Sequence, residues 1–294
     1  MPWPQLAING FALLAYPGFL AALLLGVLAE IAASWALVPE RGGFLPSARG
    51  LLSRARPAGG IRGFPALSVM AAVLALLAAT QLAAPFNPLP AADRNLLTAG
   101  FALAGAAWLT WSWGWDRGEL DPRLMVAAQC AWLIALLVPA VVPQNLHPQV
   151  LGNSMLPVQV PLKVAAALLY VMCLPALLHL IPEGAPQGVP GAAGRRPPGF
   201  EGAGFSLLRV LLWLPYCGLF VTLFFPPAQE PVTVLSLLSF LALVAGTAAV
   251  TVAIAVNLIY RGAAFTRRFY LYAVLPFAWI TVGLGMLLAA IGAR

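Results

Sequence analysis

The chain has 294 residues, of which 62% are hydrophobic and only 9% charged, where a soluble domain carries about 25% charged residues. With a mean hydropathy of +0.91 and uncharged runs long enough to cross a bilayer, it reads as an all-α, polytopic membrane protein of about eight transmembrane helices. A water-soluble nucleic-acid binder is excluded despite the net charge of +7, and the basic excess needs a membrane explanation first.

Apolar runs bounded by charge, proline or glycine predict spans over about 9–38, 64–85, 96–115, 123–143, 160–182, 205–226, 232–260 and 268–292, within one membrane domain, 1–294. Each can cover a hydrocarbon core of about 30 Å at about 1.5 Å per residue. The first and seventh runs are long, which predicts tilt or extension into the headgroups. The start, Met1-Pro-Trp-Pro, has no basic n-region and no evident cleavage site, so the first run is read as a retained span. Cys130, Cys173 and Cys217 lie inside apolar runs without a CxxC pair, which suggests neither a disulfide framework nor a metal knuckle.

Charge then assigns an orientation. The first connection holds Arg41, Arg49, Arg54, Arg56 and Arg62, the third Arg117 and Arg123, the fifth Arg195 and Arg196, and the seventh Arg261, Arg267 and Arg268, twelve basic residues in all. The other side has Arg94, Arg294 and, near a span end, Lys163, while Arg209 lies just inside the sixth run beside the fifth connection. The positive-inside rule places the odd connections in the cytoplasm and both termini outside. Trp108, Trp111, Trp113 and Trp115 sit at the inner end of the third span and read as an interfacial aromatic belt.

Two connections stand out. In the first, Phe44, Leu45, Ala48, Leu51 and Leu52 fall at helical spacing with Arg49 and Arg54 elsewhere, which suits a short amphipathic helix at about 44–54 lying in the interface. A plain basic anchor for anionic lipid fits the same residues. The fifth connection, 183–204, is dominated by proline and glycine, with five of each between Pro182 and Gly199. It is expected to be flexible until a partner orders it.

An ionisable residue inside a span is costly and is a functional candidate by default. Glu30 lies well inside the first run, as a proton-relay carboxylate or as the headgroup-level partner of an arginine such as Arg41. His179 lies near the end of the fifth span, and Gln129, Thr251 and Asn257 are expected to make interhelical hydrogen bonds. Asp116, Glu119 and Asp121 put three carboxylates on one connection. Such a cluster can hold Mg²⁺ and diphosphate in membrane prenyltransferases, although the second acidic motif those enzymes need is missing.

Several stretches taken together resemble one family, the membrane subunit called H in bacterial complex I and subunit 1 in mitochondria, in the form found in formate hydrogenlyase and energy-converting hydrogenases. Tyr16-Pro-Gly-Phe through Glu30 is similar to the first family helix. Arg41-Gly-Gly-Phe-Leu-Pro46 with Leu51-Leu52 is similar to the segment leading into the family's amphipathic helix. Ile181-Pro182-Glu183 and Phe200-Glu201-Gly202-Ala203-Gly204-Phe205 resemble the two ends of its fifth-to-sixth loop. Arg261 to Arg268 resembles the basic turn before its last helix. The resemblance spans residues 16–290 and implies a divergent, non-catalytic subunit in the inner membrane of a prokaryote. It implies proton-relay roles for Glu30, Glu183 and Glu201, beside the candidate His179 read from its place near a span end, and docking of a cytoplasmic hydrogenase-like or redox-derived module by Arg41, Arg49, Arg54, Arg195, Arg196, Arg267 and Arg268. Antiporter-like membrane subunits would lie alongside.

The departures bear on mechanism. At the end of the fifth helix the family has a Glu, an Arg and an Asp where this chain has Cys173, Ala176 and Leu180. In complex I those carboxylates line the quinone chamber and begin the proton path, so quinone binding and the usual path are both in doubt here. The resemblance implies no cofactor on this chain, with iron–sulfur clusters or nickel–iron only in partners. A Mg²⁺-dependent prenyltransferase using Asp116, Glu119 and Asp121, and a secondary transporter using Glu30, remain the alternatives.

Overall fold

The computed structural model describes residues 3–37, 65–115, 121–153, 159–181, 207–227 and 232–292. Among them it is helical throughout, with no strand. In chain order the helices are α1 (Trp3–Leu14), α2 (Phe19–Leu37), α3 (Pro65–Thr80), α4 (Leu96–Trp115), α5 (Pro122–Val141), α6 (Pro148–Asn153), α7 (Val160–Leu177), α8 (Leu207–Phe224), α9 (Val234–Arg261), α10 (Ala263–Phe269) and α11 (Leu275–Gly292). A π-helical turn, Tyr270–Val274, joins α10 to α11. Five described segments are long and apolar enough to cross a membrane: Ala7–Leu37, Pro122–Val141, Val160–Leu177, Val234–Arg261 and Ala263–Ile291. Ala66–Thr80, Leu96–Ser112 and Leu208–Phe224 are shorter apolar helices. The proposed amphipathic helix and the 183–204 connection lie outside the described residues.

The helices form because the runs are rich in leucine, alanine and valine, and they stop where backbone groups find caps. Asp121 caps α5 by accepting from the Arg123 N–H at 2.9 Å, with Pro122 at the first helical position, where a missing N–H costs nothing. Thr233 and Ser236 form a reciprocal capping box on α9. Gly262, at φ 87°, ends α9 and turns the chain into α10, a conformation that glycine adopts without a Cβ penalty. The long first run, expected as one span, is two helices. The break falls at Ala15–Gly18, where Pro17 has no N–H to continue the ladder and a Cβ on Gly18 would lie 1.9 Å from the Leu13 carbonyl oxygen.

Packing is tightest where α5 meets α7, α3 meets α4, and α2 meets α8. The interior is aromatic. Trp132 sits between Tyr170 and Tyr216, with ring centroids 5.8 and 5.2 Å away, and all three rings are buried. The Tyr170 hydroxyl donates to the Tyr216 carbonyl, and the Tyr270 hydroxyl to the Met172 carbonyl, each at 2.9 Å.

The two ends of the bundle differ. At one end Asp121 and Arg267 pair at 3.5 Å, bringing the start of α5 to α10; this is called the basic end below. The other end is closed by side chains that cap backbone groups. Buried Arg94 donates to the carbonyls of Leu89 and Asn87, and Asn87 donates to those of Thr80 and Leu82. The His147 ring meets the Arg94 carbonyl at 3.0 Å, and Lys163, counted from sequence as an end-of-span charge, is buried and donates to the Leu151 carbonyl at 2.5 Å. Burial is tolerable for these cations because each replaces water with carbonyl oxygens. Burial depresses the basicity of Arg94 below its usual value, and the neighbouring Tyr16 hydroxyl partly restores it.

Candidate functional site

Near the basic end, α2 and α8 lie close enough for backbone contact. A Cβ on Gly26 would fall 2.0 Å from the Val210 carbonyl oxygen, so the smallest residue is the one that fits. Four residues on from Gly26, and so on the same helical face, Glu30 points into the interface with 1% of its surface exposed. Arg209 and Trp213, one turn apart on α8, close on its carboxylate. The Arg209 guanidinium grips both oxygens, Nε to Oε1 at 2.6 Å and Nη2 to Oε2 at 2.5 Å. The Trp213 indole N–H donates to Oε1 at 2.8 Å.

This is a bidentate, charge-assisted pair with a third donor, the geometry in which such pairs are strongest. It also explains how a carboxylate survives among the apolar neighbours, since a buried charge must be paired and hydrogen-bonded. The arginine considered from sequence, Arg41, lies outside the described residues; the cation on Glu30 is Arg209, 179 positions away in the chain. Pulling α2 and α8 apart would separate opposite charges in a largely buried interface, so the pair acts as a latch between them.

His179 lies beside this latch. It follows α7 in a turn, at φ 53°, with its N–H donating to the Ala176 carbonyl. Histidine is among the residues enriched in left-handed backbone. Both ring nitrogens are shielded from solvent and have no hydrogen-bond partner among the described residues. So α2, α8 and the end of α7 bring Glu30, Arg209, Trp213 and His179 together.

The remaining sequence candidates separate into two groups. Asp121 serves as a cap and as the partner of Arg267, and Arg268 lies on α10 beside it. Glu183, Glu201, Arg41, Arg49, Arg54, Arg195, Arg196, Asp116 and Glu119 lie outside the described residues. Cys173, at the position where the resemblance would put a carboxylate, is fully buried in the aromatic interior, where a thiol behaves as a small apolar group. Of the tryptophan belt, Trp111 is buried and packs edge-on against half-exposed Trp108 at 5.1 Å, so one member belongs to the core. Sequence reasoning missed Trp213 as a ligand of Glu30; its four-residue spacing from Arg209 on one helix was the available signal.

No family model matches this chain, and no curated protein matches it in sequence. The fold, however, has a counterpart of known structure. The chain is similar to one in the "Structure of the membrane-bound sulfane sulfur reductase (MBS), an archaeal respiratory membrane complex", with a TM-score of 0.63 at 16% sequence identity. The match covers 95% of this chain and 99% of that one. It is a likeness of fold, from one end of each chain to the other.

Proposed function

We propose that this chain is a membrane-arm subunit of a multisubunit, hydrogenase-like or complex I-like assembly, which docks a cytoplasmic module and couples it to ion-translocating, antiporter-like subunits beside it. The observation that supports this best is the end-to-end likeness to a chain of a respiratory membrane complex. A short shared motif would not favour membership of an assembly in this way. The apolar runs are read as eight crossings and the charge pattern as putting both termini outside, a reading in which the basic end faces the cytoplasm.

In this reading the latch is the coupling element. α2 leads into the 38–64 connection and α8 follows the 182–206 connection, the two loops proposed to dock the module. A displacement of either loop would, in this reading, strain the Glu30–Arg209 pair. Releasing Arg209 leaves the Glu30 carboxylate without its cation and free to take up a proton. Among the described residues, the aromatic interior around Trp132 and Cys173 offers no carboxylate beyond that point, so in this reading water or a neighbouring subunit completes the path.

Purification from native membranes in mild detergent, with identification of what accompanies the chain, tests the reading. Antiporter-like membrane subunits and a cytoplasmic subunit are expected to co-purify. A chain that purifies alone and carries full activity would argue for a transporter or a prenyltransferase instead.

A further inference from the structure

The corner between α9 and α10 carries exposed arginines that the latch does not use. Arg261 ends α9, Arg267 and Arg268 lie on α10, and all three are exposed. The corner is held in place by its own contacts. The buried Thr266 hydroxyl lies 3.1 Å from the carbonyls of both Leu258 and Gly262, which fixes α10 against the end of α9. Arg261 donates from Nε to the Asn257 amide oxygen at 3.0 Å and lies 4.8 Å over the Phe265 ring. Among the described residues, Asp121 is the one carboxylate paired with any of these arginines, and its partner is Arg267. Arg261 and Arg268 therefore present two positive charges with no counter-charge among the described residues.

The surface below them narrows the choice of partner. α9 and the segment Ala263–Ile291 are among the least buried of the segments long enough to cross a membrane, so their shared corner stands at the rim of the bundle. Arg268, Tyr272 and Trp279 follow one another at spacings of four and seven, which keeps them on one side of a helix. Tyr272 and Trp279 are 77% and 69% exposed, and exposed Met286 and Leu287 carry the apolar side further. Arg268 to Trp279 spans about 16 Å at the helical rise, close to the roughly 15 Å depth of one leaflet. Charge, then tyrosine, then apolar surface is the order of headgroup, interface and hydrocarbon. An acidic surface on a soluble module would complement the arginines and leave the apolar side unmet. A phosphodiester complements guanidinium groups through charge-assisted hydrogen bonds, and its acyl chains complement the rest.

We infer that this corner binds an anionic phospholipid from the leaflet at the basic end, with the phosphate on Arg261 and Arg268 and the acyl chains along the side below Tyr272. Charge sets the selectivity. The phosphatidylglycerol headgroup brings no cation of its own, whereas the choline of phosphatidylcholine does. Arg268, which the family resemblance would enlist for docking the cytoplasmic module, is here a lipid ligand. The site is independent of the coupling role of Glu30.

The test uses the chain purified with whatever subunits accompany it, in nanodiscs of equal parts phosphatidylglycerol and phosphatidylcholine. Photoreactive p-benzoylphenylalanine replaces Tyr272 or, as a control in the same leaflet, Val69 on α3, which is 62% exposed. Mass spectrometry of the photolysed peptides gives the ratio of the two lipids in the adducts. At Tyr272 phosphatidylglycerol should exceed phosphatidylcholine about fivefold more than at Val69, the equivalent of about 1 kcal/mol for a basic residue at an anionic surface. Arg268→Gln, which breaks no hydrogen bond or ion pair among the described residues, and separately Arg261→Gln should each lower the ratio at Tyr272. The two together should bring it to the ratio at Val69. Equal ratios at the two positions in the native background, or a ratio at Tyr272 unmoved by both substitutions, would overturn the proposal. So would crosslinks from position 272 to a partner's peptide in place of lipid.

Discussion

Glu30 is held by three hydrogen bonds from two residues of one helix, and each makes a different prediction. Removing one partner of a buried pair leaves an uncompensated charge, at a cost of about 3–5 kcal/mol. Arg209→Met should therefore lower the thermal unfolding temperature of the purified protein sharply. The double variant Glu30→Leu with Arg209→Met removes both charges and should recover most of that loss, because a buried pair replaced by apolar groups is often neutral. Equal destabilisation by the single and double variants would mean that the pair contributes by packing alone. Trp213→Phe keeps the aromatic wall and removes one hydrogen bond to a charged acceptor, worth about 1.5–3 kcal/mol; a smaller melting shift than Arg209→Met is expected. At this scale the sequence was half legible. Glu30 stands out as an acid in an apolar run, but its partner is 179 positions away, and no local spacing reports a contact of that range. The arginine nearest in the chain, Arg41, was the natural guess and lies outside the described residues, whereas the described partner is Arg209.

At the scale of elements, the latch works because α2 and α8 touch at Gly26 and Val210. Gly26→Val would drive a side chain into the Val210 carbonyl and should separate the helices, breaking the pair four residues on. Gly246→Ala and Gly283→Ala, whose added Cβ would meet nothing within 4 Å, should be silent. The measurement is the fraction of monodisperse protein recovered in mild detergent, and comparable loss at all three positions would contradict a specific α2–α8 contact. The apolar runs gave these helices away because a bilayer demands long uncharged segments. The break in the first run was also written in Tyr16-Pro-Gly, though the run's length hid it. The close approach at Gly26 was not legible, since a glycine inside an apolar helix has the same appearance whether it faces lipid or another backbone.

At the scale of the whole molecule, topology is the first question. Cysteines introduced at Ser53 and Gly191 should react with an impermeant reagent only from the cytoplasm, and one at Asn153 only from outside; labelling of Ser53 from outside would invert the assignment. The coupling account makes the larger claim, that the Glu30–Arg209 latch transmits events at the docked module to ion movement elsewhere in the assembly. Its most direct test is the number of ions moved per catalytic turnover by the purified complex in sealed vesicles, compared between the native protein and Glu30→Gln. Glutamine keeps the size of the side chain and its hydrogen-bonding capacity, but can neither bear the charge nor release the proton. Because Glu30→Gln leaves Arg209 uncompensated, a lower melting temperature is expected alongside, and in the complexes that still assemble and turn over the account predicts a markedly reduced ion yield. A native yield in Glu30→Gln would contradict it.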